Sequence, residues 1–377
     1  MRVLILAAVP GKPPLGGGTT ALLNLGKSLR ENGHQVDYLL SEDFPWKLGS
    51  GRWATLAVPW AALWRLAAGP RYDVVDITSG DGVLFLALRR AGILRKHGAV
   101  VMRSHGSEHM YAELLKVASR EGLIHLSPAF RARYFGVRLS EVAHSLRWAD
   151  RIICLTRREA DGVSERIRVD RAKFSVVAHG VADEFLSLNG DAGGKRDQVI
   201  FVGTWVWSKG TQLLPAMFMR LHGRYPSLRF LLAGVQAPED AVRQAFPAEL
   251  QGCIEVVGYV PQRELARRMA ESLLMIFPSY YDGFGMVALE AMAAGTPVVM
   301  SREVGASDWI DEEGLALLAP LDPEAFAAGC ERLLDDPALR GQVAARAKIW
   351  ARRFTWQRAA EETVAAYTQA LAAQGKD

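Results

Sequence analysis

Short apolar runs bounded by turn residues alternate along the chain with helical patterns. "RVLILAAV" reads as a buried strand, "TTALLNLGKSLRENG" as a helix ending at Gly33, and "QVDYLLS" as a strand again. "YDVVDITS", "AVVMRSHG", "ADRIICLT" and "KFSVVAHG" continue the alternation. Buried strands separated by helix-length segments predict a parallel sheet covered by helices. At "LNGDAGGKRD" (188–197) the pattern gives way to Gly, Asp and Lys, a linker composition. It restarts with "QVIFVGTW", "LRFLLAG", "IEVVGYV" and "SLLMIFPS". This predicts an α/β protein of two Rossmann-like domains, 1–187 and 188–355, with a last helix at about 356–377 packing back on the first. Ligands of open sheets sit outside the carboxyl ends of the strands, so the crevice between two such domains is the expected site.

The stretch "YYDGFGMVALEAMAAGTPVV" (280–299) carries the most chemistry. A buried strand ends at Phe277, "DGFG" turns, and "MVALEAMAA" reads as a helix with Gly295 just past its end. The first N–H groups of such a helix form an anion site suited to phosphate. Asp282 stands before the helix and Glu290 more than a turn inside it. Two carboxylates flanking an anion site suit a ligand with hydroxyls at both ends and phosphates between, such as a nucleotide-sugar. An isolated DGFG would be read instead as a structural turn.

Length and charge narrow the class. A chain of 377 residues, half apolar and 23% charged, fits a folded two-domain protein. Cys154, Cys253 and Cys330 are scattered, without zinc-ligand or disulfide spacing, which favours a reducing, cytoplasmic compartment. No apolar run is long enough for a membrane-spanning helix. Residues 1–190 carry 26 Lys and Arg against 18 Asp and Glu, while the remainder is net acidic. The basic half suits either an anionic surface or plain solvation. Trp46, Trp53, Trp60 and Trp64, with Lys47, Arg52 and Arg65, mix aromatic and basic residues as an interfacial segment does. An ordinary core helix under a covering loop is the other reading. Peripheral attachment to the inner face of the plasma membrane, an anionic surface, follows from the first. No nucleic-acid partner is indicated.

The string "DGFGMVALE" followed by "AMAAGTPVV" resembles the E-x7-E motif of the retaining glycosyltransferase family 4, whose members have the GT-B fold: two Rossmann-like domains facing each other across a deep cleft. "FVGTWVWSKG", "VVAHGVADEF", "LLAG", "VVGYVP", "VGASDWI" and "RRFTW" fall in family order. The resemblance runs from Met1 to about residue 360 and is most specific in the second half. It implies the following roles. Glu290 binds the ribose hydroxyls of the donor nucleotide, and Asp282 contacts the donor sugar. The backbone N–H groups of Gly283, Phe284 and Gly285 bind sugar hydroxyls, and those of Met286 and Val287 the diphosphate. Gly203 and Thr204 lie beside the diphosphate, which pairs with Lys209, and the backbone at Tyr259 and Val260 holds the base. Gly16, Gly17 and Gly18 form the glycine-rich loop near the β-phosphate and acceptor. His105 lies near the reacting sugar, while His109 reads as surface.

Four positions depart from the family pattern. Thr204 stands where an Arg is usual, Asp282 where a Glu is usual, and His179 and Ala182 where "NGVD" has Asn and Asp. No DxD metal motif occurs, and no cofactor is expected, since the nucleotide-sugar is a substrate. Lys209, the helix start and the glycine loop are the groups expected to stabilise the leaving diphosphate. The resulting expectation is a retaining, metal-independent, hexosyltransferase-like enzyme. It would act on a glycan or lipid-linked acceptor in cell-surface polysaccharide or glycolipid synthesis. A nucleotide-sugar epimerase or hydrolase of the same fold, or a non-catalytic nucleotide-binding relative, remains as an alternative. A dinucleotide-dependent dehydrogenase is disfavoured, since "PGKPPLGGGT" lacks GxGxxG spacing.

Overall fold

The computed structural model describes residues 1–11, 16–43, 54–188, 194–310 and 315–374. The chain forms two compact units, residues 1–180 with 356–377, and residues 181–355. Trp46, Lys47, Arg52 and Trp53, and the centre of the linker at 189–193, lie outside the described residues.

Unit 1 holds a six-stranded parallel sheet: β1 (Arg2–Leu6), β2 (Gln35–Leu39), β3 (Val74–Thr78), β4 (Ala99–Arg103), β5 (Arg151–Cys154) and β6 (Phe174–Val176). Their order is β2-β1-β3-β4-β5-β6. The strands are short, and the inner ones, β1, β3, β4 and β5, are almost wholly buried because helices cover both faces, while the edge strands β2 and β6 are partly exposed. The first helix, Gly17–Glu31, stops where expected, and Gly33 takes φ +79° in the left-handed region.

The helix Trp356–Gln374 packs within unit 1, and a buried polar network fixes it there. Arg103 on β4 donates to Asp76 Oδ2 on β3 through Nε (2.9 Å) and Nη2 (2.7 Å). The Tyr367 hydroxyl donates to the same oxygen at 2.5 Å, and Thr363 Oγ1 accepts from Arg103 at 3.4 Å. Removing Arg103 or Asp76 alone would strand a buried charge, at a cost of roughly 3–5 kcal/mol.

Unit 2 holds β7 (Arg196–Val202), β8 (Arg229–Ala233), β9 (Ile254–Val257), β10 (Ser272–Phe277), β11 (Val298–Ser301) and β12 (Leu317–Ala319). The order is β12-β11-β10-β7-β8-β9, again all parallel. The short edge strand β12 is absent from the sequence reading. The core is built on Phe201, Phe218, Phe230 and Phe326, with the rings of Phe218 and Phe230 stacked 4.0 Å apart.

Candidate active site

In unit 2 the neighbouring strands β7 and β10 mark the point where the winding of the sheet reverses. Loops leaving the carboxyl ends of such a pair diverge and open a crevice. Here they are Gly203–Gly210 and Pro278–Gly285. Tyr280 N–H donates to Ser208 O at 2.8 Å and ties one loop to the other. Two glycines make this approach possible. Gly210 has φ +74°, and a Cβ there would sit 2.0 Å from Pro278 O. Gly285 has φ +89°, and its Cβ would sit 2.4 Å from Val304 Cγ1.

The two loops bring Lys209 and Asp282 together. Lys209 Nζ pairs with Asp282 Oδ2, and both side chains are largely buried. Asp282 Oδ1 accepts from Phe284 N–H (3.1 Å) and Gly285 N–H (2.6 Å). Two contacts of the turn lie outside the sequence reading. The Phe284 and Gly285 N–H groups bond the Asp282 carboxylate, and Lys209 meets the same carboxylate. The cause is local: an aspartate side chain reaches the backbone two and three residues ahead of it, where the turn presents those donors. The outer side of the turn is held by Gly305 N–H to Asp282 O (3.0 Å) and Ala306 N–H to Phe284 O (2.7 Å).

The helix Met286–Ala293 follows, with no acid in its first turn and no side-chain cap. Met286 and Val287, as its first residues, have no intrahelical carbonyl to bind. Glu290, one turn in, is only 6% exposed. No hydrogen bond or ion pair joins its carboxylate to any described residue, and burial pushes its pKa up to about 7. A buried carboxylate without a partner is costly unless a ligand supplies donors. Gly203 N–H is engaged by Ala233 O at 3.0 Å, and Thr204 is half-buried beside it. Past β9, Tyr259 is exposed and Val260 half-buried.

Unit 1 gathers its polar groups at the carboxyl ends of β1, β3 and β4. Gly16 precedes the first helix, and Gly17 and Gly18 begin it. A Cβ on any of the three would meet nothing within 4 Å, so no described neighbour demands glycine there. At the end of β3, Asp81 Oδ2 accepts Ala8 N–H at 2.8 Å, and Arg138 bonds Asp81 Oδ1 (3.0 Å), Glu108 (3.2 Å) and Ser79 (2.9 Å). Arg138 closes a π-helical segment, Ala132–Arg138, a form often found at functional sites. Nothing in the sequence pattern marks this network, because its members lie far apart along the chain.

His105 follows β4. Its Nδ1 lies 3.5 Å from His179 Nε2, and the ring planes are inclined by 24° with centroids 5.5 Å apart, so the rings meet edge to edge. Its Nε2 is buried with no partner among the described residues. Burial, then the nearby Arg103 charge, lowers the His105 pKa to about 4, and burial lowers that of His179 as well. Both rings are therefore neutral near pH 7. His179 is the departure from the family's Asn, and the structure gives that departure a contact. His109 is half-buried rather than on the surface; it lines a cavity of about 140 Å³ together with His105, Ser104 and Glu159.

Comparison with known proteins agrees with this architecture. Residues 15–185 match the family model described as Glycosyltransferase Family 4, and residues 196–336 that of Glycosyl transferases group 1. The fold is GT-B, and the chain carries the domains of both of these glycosyltransferase family models. The O-antigen chain mannosyltransferase B of Escherichia coli is 34% identical over 158 residues, which span 41% of this chain and 40% of that protein. The D-inositol 3-phosphate glycosyltransferase of Streptomyces avermitilis is 32% identical over 249 residues, 60% of this chain and 53% of that one. The chain thus spans about half or less of these relatives' lengths. Among solved structures, sucrose-phosphate synthase from Thermosynechococcus elongatus superposes with a TM-score of 0.77 at 21% identity, over 99% of both chains. The Anabaena protein HepE in complex with UDP and glucose gives 0.71 at 16% identity, over 98% of this chain and 99% of that one.

Proposed function

We propose that the protein transfers a sugar from a nucleoside-diphosphate sugar to a glycan or lipid-linked acceptor. The observation that carries this reading is the Glu290 carboxylate, buried without a partner, one turn inside a helix whose start adjoins the Lys209–Asp282 pair. Ribose hydroxyls donating to Glu290 would offset its burial. The diphosphate would then lie at the N–H groups of Met286 and Val287, with Lys209 turning to it from Asp282. Asp282, released from Lys209, would accept a hydroxyl of the donor sugar. As the glycosidic bond breaks, negative charge grows on the leaving diphosphate, and Lys209 and the helix start meet it in place.

Lys209 and the helix N–H groups would supply this stabilisation without a divalent ion, and the sequence has no DxD motif to hold one. Activity is therefore expected to survive a chelator, and loss on chelation with rescue by magnesium or manganese would overturn metal independence. By its family, transfer would retain the anomeric configuration. His105, neutral and with a free Nε2, would bond a hydroxyl of the transferred sugar. The acceptor is proposed to belong to cell-surface polysaccharide or glycolipid synthesis, with unit 1 resting on an anionic membrane. Support comes from the helix Ala54–Ala68, where Trp60 and Trp64, one turn apart, are 62% and 59% exposed. No described helix is long and apolar enough to cross a membrane.

A panel of nucleoside-diphosphate sugars, read first by melting shift and then by product formation with and without acceptor, tests the proposal. A donor that stabilises the protein and is consumed only with acceptor supports transfer. Consumption of donor alone, to its epimer or free sugar, would replace transfer by epimerisation or hydrolysis.

A further inference from the structure

At the opposite end of the unit 1 sheet, the amino ends of β4, β5 and β6, the surface folds into a depression of about 570 Å³. It is lined by Arg89, Arg90, Arg95, Arg147 and Lys173, with Trp148 as a flat wall. The ends of the helices Val83–Arg90 and Leu139–Trp148, the segments entering the three strands and the last turn of the Trp356–Gln374 helix supply these groups. The size suits a small-molecule ligand and exceeds what a lone ion needs.

Asp150 is the one acid in the lining, and its carboxylate is already occupied. It accepts from Val100 N–H (2.6 Å) and Gln374 Nε2 (2.8 Å) and pairs with Arg89 (3.0 Å). The other cations lean on neutral groups or on none. Lys173 Nζ donates to Arg147 O (3.2 Å) and Ala149 O (3.1 Å), and Arg147 Nε to Ile167 O (3.2 Å). Arg90 and Arg95 are exposed.

A plainer explanation is that basic residues sit at helix carboxyl ends to meet the macrodipole. Arg89, Arg90 and Arg147 fit that pattern. Lys173 fits it too, since its Nζ meets Arg147 O and Ala149 O at the end of the helix Leu139–Trp148; Arg95, in a loop, does not. Each of the three helix ends that meet here offsets only about half a charge, which leaves roughly two and a half positive charges uncompensated. His97 lies buried in the floor between Tyr72 N–H (3.2 Å) and Leu66 O (2.9 Å). Burial first, then Lys96, Arg71 and Arg89, hold its pKa down.

We infer that this depression binds a phosphate-bearing anion of at least two phosphate groups' reach, such as a free diphosphate or an anionic lipid headgroup. Arginine forks match phosphate oxygens, and among the described residues this basic pocket has no free acid to pair with. The site lies wholly in unit 1 and uses no donor-site residue, so it stands whether or not the protein transfers sugars.

The test uses the full chain carrying Lys209→Ala, which weakens competing diphosphate binding in unit 2. Inorganic pyrophosphate is titrated by calorimetry at low salt, and sedimentation is followed with phosphatidylcholine vesicles containing phosphatidylglycerol. Adding Arg90→Ala and Arg95→Ala, both exposed and remote from the core, is expected to weaken one of the two by about tenfold or more. Loss of pyrophosphate binding identifies a soluble anion as the ligand, and loss of vesicle binding a lipid headgroup. A control pair, Arg263→Ala with Arg332→Ala, removes equal charge from exposed positions of unit 2 and is expected to leave both unchanged. No binding of either probe to the Lys209→Ala chain would overturn the inference. So would equal weakening by the control pair, which would mark general attraction rather than a site.

Discussion

Lys209 and Asp282, 73 positions apart in sequence, form an ion pair where β7 and β10 release their loops. Asp282 also holds the N–H groups of Phe284 and Gly285, so one carboxylate both neutralises the lysine and shapes the turn.

The pair makes opposite outcomes expected for its two members. Lys209→Ala removes the cation that would meet a diphosphate, at a cost of roughly 1.5–3 kcal/mol, so nucleoside-diphosphate affinity should fall about ten- to a hundredfold. Asp282→Asn keeps an oxygen for the turn but frees Lys209, so that affinity should hold or tighten while kcat/KM for the intact donor falls. Calorimetry with the diphosphate beside kinetics with the donor separates the two. Equal weakening of diphosphate binding by both variants would contradict the division.

Glu290 gives a pH signature in stability. Its folded pKa of about 7 lies above the ordinary carboxylate value of 4.5, so the folded state holds the proton longer than the unfolded chain. Stability should therefore decline as pH rises from about 4.5 to 7 and level off above, by on the order of 3 kcal/mol. Glu290→Gln should remove that decline. Melting curves of both proteins between pH 4.5 and 8 check it, and parallel curves would contradict it.

The same group should make binding pH-dependent in the other direction. Ribose hydroxyls donate to the ionised carboxylate, so nucleoside-diphosphate affinity should strengthen as pH rises through about 7. Glu290→Gln should bind more weakly at pH 8, by roughly 1–2 kcal/mol, and lose that pH dependence. An unchanged profile in the variant would take Glu290 out of the site.

His105 and His179 should act on turnover rather than on nucleotide binding. His105→Ala removes the free Nε2, and His179→Ala removes the ring that meets Nδ1. Both should lower kcat with nucleoside-diphosphate affinity nearly unchanged, and His179→Asn should recover part of the loss. Equal losses in kcat and in nucleotide affinity would instead mark the pair as structural.

Trp60 and Trp64 bear on the membrane reading. Trp60→Ser with Trp64→Ser should leave the melting temperature nearly unchanged, since both rings are mostly exposed. Sedimentation with phosphatidylglycerol vesicles should fall, and in the unaltered protein it should weaken with salt. Vesicle binding equal to that of the unaltered protein would contradict the reading.

Much of the fold was legible because buried parallel strands are nearly continuous apolar runs. Eleven of the twelve strands coincide with such runs, and the break near 190 falls close to the boundary at 180–181. The helix 286–293 and its glycine turn were equally plain, since Gly285 and Gly295 punctuate it. What sequence did not show is which polar groups satisfy one another. Asp282 read as a ligand contact standing alone, because the loop that carries Lys209 to it is brought near only by the β7–β10 pairing. The Arg103–Asp76–Tyr367 network and the Arg138 cluster were invisible for the same reason: each joins residues from several elements. His179 was visible as a departure but had no meaning until His105 lay beside it.

The most direct test is calorimetric titration of UDP, GDP and ADP into the unaltered protein at pH 8, alongside Glu290→Gln and Lys209→Ala. The expected result is that at least one binds with one-to-one stoichiometry, and that each substitution weakens it by about tenfold or more. Binding of none of the three, or binding that neither substitution disturbs, would contradict a nucleotide-sugar site built on Glu290 and Lys209.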